Sequence, residues 1–435
     1  MPLLTVLAAL ILLVVLIAVF RVNAFLAFLV VSVTAGLLLG IPPDAVMKSV
    51  EKGMGDTLGS IAGIIALGAM LGKLIADSGA AQQIASAVVE RTGVKYIRWS
   101  LALAGFIIGI PLFYGVGFVL MVPLIFSIVY RYQLPAVATG LPMLAALSVC
   151  FGFLPPHPSP SALVVQFNAS MGTTLLLGVV IAIPTIILAG PLFAKTLTNI
   201  RSKPLDAFAP QISSNKKTPS ASAGFFVALL PVLLFVATSL LPFVVDKKSQ
   251  AVVSFFSNST VVLLIALAIA TYVLGLRQGR SLKNVMLLYS ESVKEVALIL
   301  LIIGGAGSLK QVLVDSGVSN AITAAMKVLP LPPLMLAWLT AGCIRVAVGS
   351  ATVAGFTAAG IIQPLAVQSG ANPDLMVLSI GAGSLLFSHV NDSGFWLFKE
   401  YFNLSIKDTL RSWSLMETIV SVCGLAGVLL LDLIV

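Results

Sequence analysis

The sequence predicts an all-α polytopic membrane protein made of two inverted repeats, each with five spans and one re-entrant hairpin, whose broken helices meet at the midplane. Three observations predict it: scarce charge, apolar blocks of membrane-crossing length, and a motif that occurs twice. Of 435 residues, 59% are hydrophobic and 9% charged, whereas a soluble domain carries about 25% charged residues. The apolar residues come in blocks near 20 long, the length that crosses a hydrocarbon core of roughly 30 Å.

Full spans are expected at about 2–20, 24–41, 57–76, 136–168, 171–194, 223–245, 260–276, 293–314, 375–400 and 414–434. Polar motifs bearing Pro or Gly break those at 136–168 and 375–400. Two further apolar stretches, about 97–130 and 334–368, are too long for one crossing and carry Gly-rich centres, IPLFYGVG and VAVGSATVAG. They read as re-entrant hairpins, since non-helical backbone at membrane depth survives only inside protein or beside a watery cavity. Residues 195–222 form a polar linker, so 1–194 is the first repeat and 223–435 the second. The opening MPLLTVLAAL lacks a basic n-region and a cleavage site, and reads as a retained first span.

The net charge of +9 lies in short loops, where it orients the chain and does not signal nucleic acid. With ten spans, two hairpins and both termini periplasmic, 17 of the 25 basic residues fall on the cytoplasmic side. Five fall outside (Lys48, Lys52, Lys247, Lys248 and Lys327), and Lys73, Lys310 and Arg345 lie within membrane segments. That bias supports the hairpins, because making either a full crossing spoils it.

The segment GAMLGKLIADSG (68–79) matches AGSLKQVLVDSG (306–317) at an offset of 238. After each come a short helix, a Gly-broken hairpin and a span broken by a polar motif, FLPPHPSPS in one half and SHVNDSGF in the other. Five spans is an odd number, so the second repeat is inverted. Inverted repeats with discontinuous helices are the layout of secondary transporters. A membrane enzyme would need a nucleophile–base pair or a metal cluster, and the sequence suggests neither. Cys150, Cys343 and Cys423 lie in apolar stretches and read as packing residues, and no metal or cofactor is expected.

Broken helices leave backbone N–H groups free for an anion. Arg345, in TAGCIRVAVGSAT, is deep in apolar sequence. It reads as a clamp on a substrate carboxylate or as a structural partner of an acid such as Asp392. Ser350 and Thr352 at the second hairpin tip, and His157, Ser159, Asn391, Asp392 and Ser393 at the breaks, complete the candidate substrate site. Asn391 or Asp392 is also a natural cap for a half-helix starting near Gly394. His389 reads as a residue that orients its loop. Asp77 and Asp315 read as helix ends, Lys73 and Lys310 as snorkelling cations, and the GGAG run (304–307) as close helix packing.

Taken together, GAMLGKLIADSG, GFLPPHPSP, VGSATVAG and FSHVNDSGFWLFKEYFNLS (387–405) make the chain resemble the bacterial gluconate permease (gluconate:proton symporter) family along nearly its whole length. The resemblance implies a bacterial inner-membrane symporter for gluconate or a related sugar acid, with a proton more than sodium as coupling ion, and leaves a homodimer open. Another small hydroxy acid, D-serine, or an uncoupled facilitator are the alternatives. It also implies a fold like that of ion-transporter carriers with paired hairpins. Two positions depart from the family pattern. Gly115 stands in LFYGVG where relatives carry an acid, and Cys150-Phe151 stand where close relatives have Thr-His. That leaves Asp392 and His157 as the candidate proton carriers.

Overall fold

The computed structural model describes residues 2–200, 202, 218–244, 250–318, 331–390 and 392–435. All regular structure among them is helical. Helices α1 (Pro2–Ala18) and α2 (Ala24–Leu38) pair, and Asn23 caps α2 by accepting the Phe25 N–H at 2.9 Å. There follow α3 (Pro43–Asp77), α4 (Ala80–Thr92), α5 (Ile97–Gly109), α6 (Tyr114–Tyr132), α7 (Ala136–Phe153), α8 (Pro158–Gln166) and α9 (Met171–Leu197). The second part holds α10 (Ala221–Val244), α11 (Gln250–Ser257), α12 (Ser259–Gln278), α13 (Leu282–Asp315), α14 (Pro333–Val348), α15 (Ala351–Ser369), α16 (Pro373–Gly383), α17 (Ser393–Tyr401) and α18 (Ile406–Asp432). Most of the expected linker (203–217), the second short helix (319–330) and Lys247, Lys248 and Lys327 lie outside the described residues.

Nine described helices are long and apolar enough to cross a membrane, which makes this a multi-pass membrane protein. Two of the nine, α6 and α15, are second limbs of the stretches read as hairpins, while α1, α2, α14 and α16 are shorter. Limbs α14 and α15 pack along each other around Gly349, whose φ of +81° makes the turn, whereas α5 lies along α7 more than along α6.

Helices α3 and α13 run well beyond the spans expected at 57–76 and 293–314. At 35 and 34 residues they reach about 50 Å each. Hydropathy marks only where a helix meets lipid. The first part of α3 carries Lys48, Glu51, Lys52 and Asp56, and that of α13 carries Lys283, Glu291, Lys294 and Glu295, so those turns are helical without being apolar. The two helices pack antiparallel: Ser308 Oγ donates to the Val50 carbonyl at 2.8 Å, Lys73 pairs with Glu295 at 2.5 Å, and Arg280 pairs with Asp77. Lys73 is therefore an interhelical ion-pair partner. A Cβ at Gly307 would collide with Thr57 and the Gly53 carbonyl, and one at Gly305 would sit 2.9 Å from Phe28, so the GGAG run serves close packing. Asp77 and Asp315 end their helices, with Gly79 (φ +81°) and Gly317 (φ +72°) turning the chain.

Both broken spans are discontinuous where the sequence places polar motifs. Helix α7 stops at Phe153 and α8 restarts at Pro158, while α16 stops at Gly383 and α17 restarts at Ser393. The first limbs cross beside their ends, where a Cβ on Gly381 would strike the Gly152 carbonyl. This contact brings the two breaks to one level of the interior.

Candidate substrate and coupling site

Three helices begin at a single cavity of ≈450 Å³. The N-terminus of α6 supplies Phe113, Tyr114 and Gly115; that of α15 supplies Ser350, Ala351 and Thr352; that of α17 supplies Asp392, Ser393 and Gly394. Each N-terminus exposes N–H groups without intrahelical partners and carries partial positive charge, so their convergence favours an anion. The helices start here for local reasons. Ser350 caps α15 by accepting the Val353 N–H at 3.3 Å, and Asp392 caps α17 by accepting the Gly394 N–H at 3.1 Å.

Arg345, from the end of α14, reaches into the cavity while only 3% exposed. It donates to the Gly349 carbonyl and pairs with Asp392, while its Nε finds no partner. It is thus paired to a protein carboxylate, as one of its two readings has it, and it also faces the cavity. Asp392 is held from the other side, since Ser388 Oγ donates to it and Trp413 Nε1 donates to Ser388 Oγ at 2.8 Å. Ser414 fastens the same loop by donating to the Ser388 carbonyl. One chain of hydrogen bonds therefore links α18, the second break and the hairpin tip.

The remaining walls are largely apolar. Phe151, Ile299, Val348, Leu385, Leu397 and Trp413 border the space, with Ser148 as a further polar group. At this cavity, two buried polar side chains among the described residues carry no partner. The Tyr114 hydroxyl is one, and the Glu417 carboxylate is the other, with both oxygens unbonded and the residue 1% exposed.

Among the described residues, Arg345, Ser350, Thr352, Asp392 and Ser393 gather at this cavity, and Arg345 is its only cationic side chain. Asn391 lies outside the described residues. His157 is not at the cavity wall. Its Nε2 meets the Gly109 carbonyl at 2.7 Å, between the rings of Phe113 and Phe151. Ser159 is buried behind it against α15, 3.0 Å from where a Cβ on Gly355 would lie, with its hydroxyl unpartnered. His389 binds the Val346 carbonyl at 2.9 Å and so ties its loop to α14.

Sequence reasoning missed Glu417, Tyr114, Ser148 and Trp413. Glu417 was hidden by a boundary. With the last span starting near 414, it looks like an interfacial acid in WSLMETIVSV; with α18 starting at Ile406, it lies about three turns inside.

Residues 1–434 match the sequence pattern of the GntP family permeases. The chain belongs to the GntP permease family. This family member is similar to a high-affinity gluconate transporter of Escherichia coli K12, 47% identical with all of both chains covered. It is also similar to the Gnt-II system L-idonate transporter of the same strain, at 44% with 99% of each chain covered. A gluconate permease of Bacillus subtilis 168 is 42% identical, again across the full length of both. Among solved structures, the permease shares its fold with the YdaH transporter of Alcanivorax borkumensis, with a TM-score of 0.66 at 16% identity, covering 94% of this chain and 97% of that one. MtrF of Neisseria gonorrhoeae gives 0.68 at 14% identity, covering 93% of each. The protein is a transporter and not an enzyme.

Proposed function

We propose that this permease is a secondary carrier that imports gluconate or a closely related sugar-acid anion, such as idonate, across the bacterial inner membrane in symport with protons. The observation that carries the reading is the meeting of three helix N-termini with one arginine at a cavity of a size suited to a small molecule. Arg345 and the N–H groups at the starts of α15 and α17 hold the carboxylate. The hydroxyls of Ser350, Thr352 and Ser393 meet those of the substrate. Full-length relatives named for gluconate and idonate transport support this substrate class.

Alternating access in this reading comes from two inverted repeats, 1–194 and 223–435, joined by a cytoplasmic linker. The antiparallel crossing of α3 and α13, which begin 239 residues apart at Pro43 and Leu282, supports the inversion. Both termini face the periplasm, as the distribution of basic residues favours. A reporter fused after Val435 that reads as cytoplasmic overturns this orientation.

The deciding experiment is uptake of labelled gluconate, L-idonate and D-serine into proteoliposomes, with and without an inward proton gradient. Sugar-acid uptake that the gradient drives uphill is the expected result. Transport of D-serine alone, or of none of the three, overturns the substrate class, and sugar-acid uptake indifferent to the gradient overturns proton symport.

A further inference from the structure

Glu417 is a buried acid at the cavity, beside Ser148, that enters none of the ion pairs among the described residues. The other charged groups of the cavity are committed to each other: Arg345 to Asp392, and Asp392 also to Ser388 and the α17 N-terminus. Glu417 lines the same space, is 1% exposed, and neither of its oxygens has a hydrogen-bond partner. A buried carboxyl without a partner can take up a proton without breaking an existing hydrogen bond.

The groups facing it are few. Helix α6 presents the unpartnered Tyr114 hydroxyl, α14 presents Arg345, and the start of α17 presents Asp392. Helix α7 carries Cys150 as its one titratable side chain, with Sγ 3.5 Å from the Phe106 carbonyl, and Ser148 at the cavity wall. Over Met171–Ile187, α9 has none. Helix α16 has only Asp374, which accepts from the Ser170 N–H and the Thr174 hydroxyl. One cation therefore confronts two acids. With Glu417 ionised the site is net negative and repels an anion; with Glu417 protonated the charges balance and the anion meets three helix N-termini.

We propose that Glu417 carries the coupled proton and that the cavity accepts the sugar-acid anion only while this carboxyl is protonated. The inference rests on the reading of the cavity as a sugar-acid site and names the group that couples it. The step is a simple protonation: the carboxylate takes H⁺ from water on the entry side, anion and proton cross together, and the carboxyl returns H⁺ to water on the exit side. One proton moves with one monoanion, so the cycle carries no net charge.

The test is gluconate and L-idonate binding to the full-length protein in detergent, by calorimetry in buffers of different ionisation enthalpy. The unmodified protein is expected to take up about one proton per anion at pH 8 and to bind about tenfold more tightly at pH 6, because coupling is reciprocal. In Glu417→Gln, proton uptake on binding is expected to vanish, and affinity at the two pH values to converge. Binding without proton uptake by the unmodified protein, or uptake that persists in Glu417→Gln, overturns this inference and leaves the substrate reading standing. Binding of neither anion overturns both. Where Glu417→Gln fails to fold, Glu417→Asp decides: a changed pH midpoint for binding supports the assignment, and an unchanged one overturns it.

Discussion

The two broken spans share a plan but differ in chemistry. The first break, Leu154 to His157, is built from prolines: Pro155 and Pro156 cannot donate, and Pro158 sits at the first turn of α8, where a missing N–H is harmless. Its single ionisable group, His157, is spent on the Gly109 carbonyl between two aromatic rings. The second break, Ser384 to Asp392, spans nine residues and carries the ion pair and the hydrogen-bond chain through Ser388 and Trp413. One break is closed on itself and the other opens onto the cavity. The two breaks thus divide the work, with the first shaping the backbone and the second holding charge.

Arg345 should break that comparison most sharply, since the asymmetry in charge depends on it. Arg345→Gln removes the only cation among the described residues at the cavity and leaves Asp392 without its ion-pair partner. Removing a desolvated charged contact to a ligand costs about 2–5 kcal/mol of binding, so gluconate affinity should fall by at least ~30-fold at equal membrane abundance. Arg345→Lys keeps the charge but not the planar fork, and an affinity loss of about tenfold is expected. Normal affinity in both variants removes this residue from the site.

Trp413→Phe probes the support behind the charge. The ring is stacked against Phe398 with centroids 5.5 Å apart, and phenylalanine keeps much of that contact while losing the bond to Ser388. A buried hydrogen bond of this kind is worth about 1–2 kcal/mol. A rise in KM of roughly fivefold to thirtyfold is therefore expected. An effect on protein yield alone, with KM unchanged, means that the chain from α18 to Asp392 does not position the site.

These expectations also mark what the sequence made legible. The membrane class follows from long apolar blocks, and both breaks, the helix-ending DSG motifs and the grouping of Arg345, Ser350, Thr352, Asp392 and Ser393 from proline, polar or charged residues placed in them, which is costly enough to leave a local mark. The lengths of α3 and α13 do not, because their charged first turns are helical through packing against each other. Glu417 does not either: whether an acid near a span end is interfacial or buried depends on where the helix starts, and α18 starts early. His157 and Asp392 looked alike as isolated ionisable residues in broken spans. What separates them is which helix ends they face, a tertiary fact.

His157→Gln tests the closed break. Glutamine can still donate to the Gly109 carbonyl, so the loop keeps its anchor while any proton carriage by an imidazole is lost. Uptake within about threefold of the unmodified protein, with its pH dependence intact, is expected, a difference of under ~1 kcal/mol. A lost pH dependence in this variant would hand the coupling role back to the first break.

The smallest effect should come from Gly115, at the start of α6 on the cavity's own edge. A Cβ built there meets no atom within 4 Å, and the residue's φ is not in the left-handed region. Gly115→Ala is therefore expected to leave the melting temperature within about 2 °C, a shift below ~0.5 kcal/mol. Gly381→Ala, by contrast, drives a methyl into the Gly152 carbonyl where the two breaks cross, and should destabilise strongly. The open space at Gly115 also admits a longer side chain. Gly115→Glu would bring a further carboxyl to a cavity that already holds Asp392 and Glu417 against one arginine. That carboxyl must be neutral before an anion can enter, so the variant should bind gluconate more weakly at pH 8 and follow pH more steeply, with stronger uphill uptake under an inward proton gradient. A Gly115→Glu protein that folds normally and shows an unchanged pH profile would mean that the added group points away from the anion, and that the start of α6 is not part of the site.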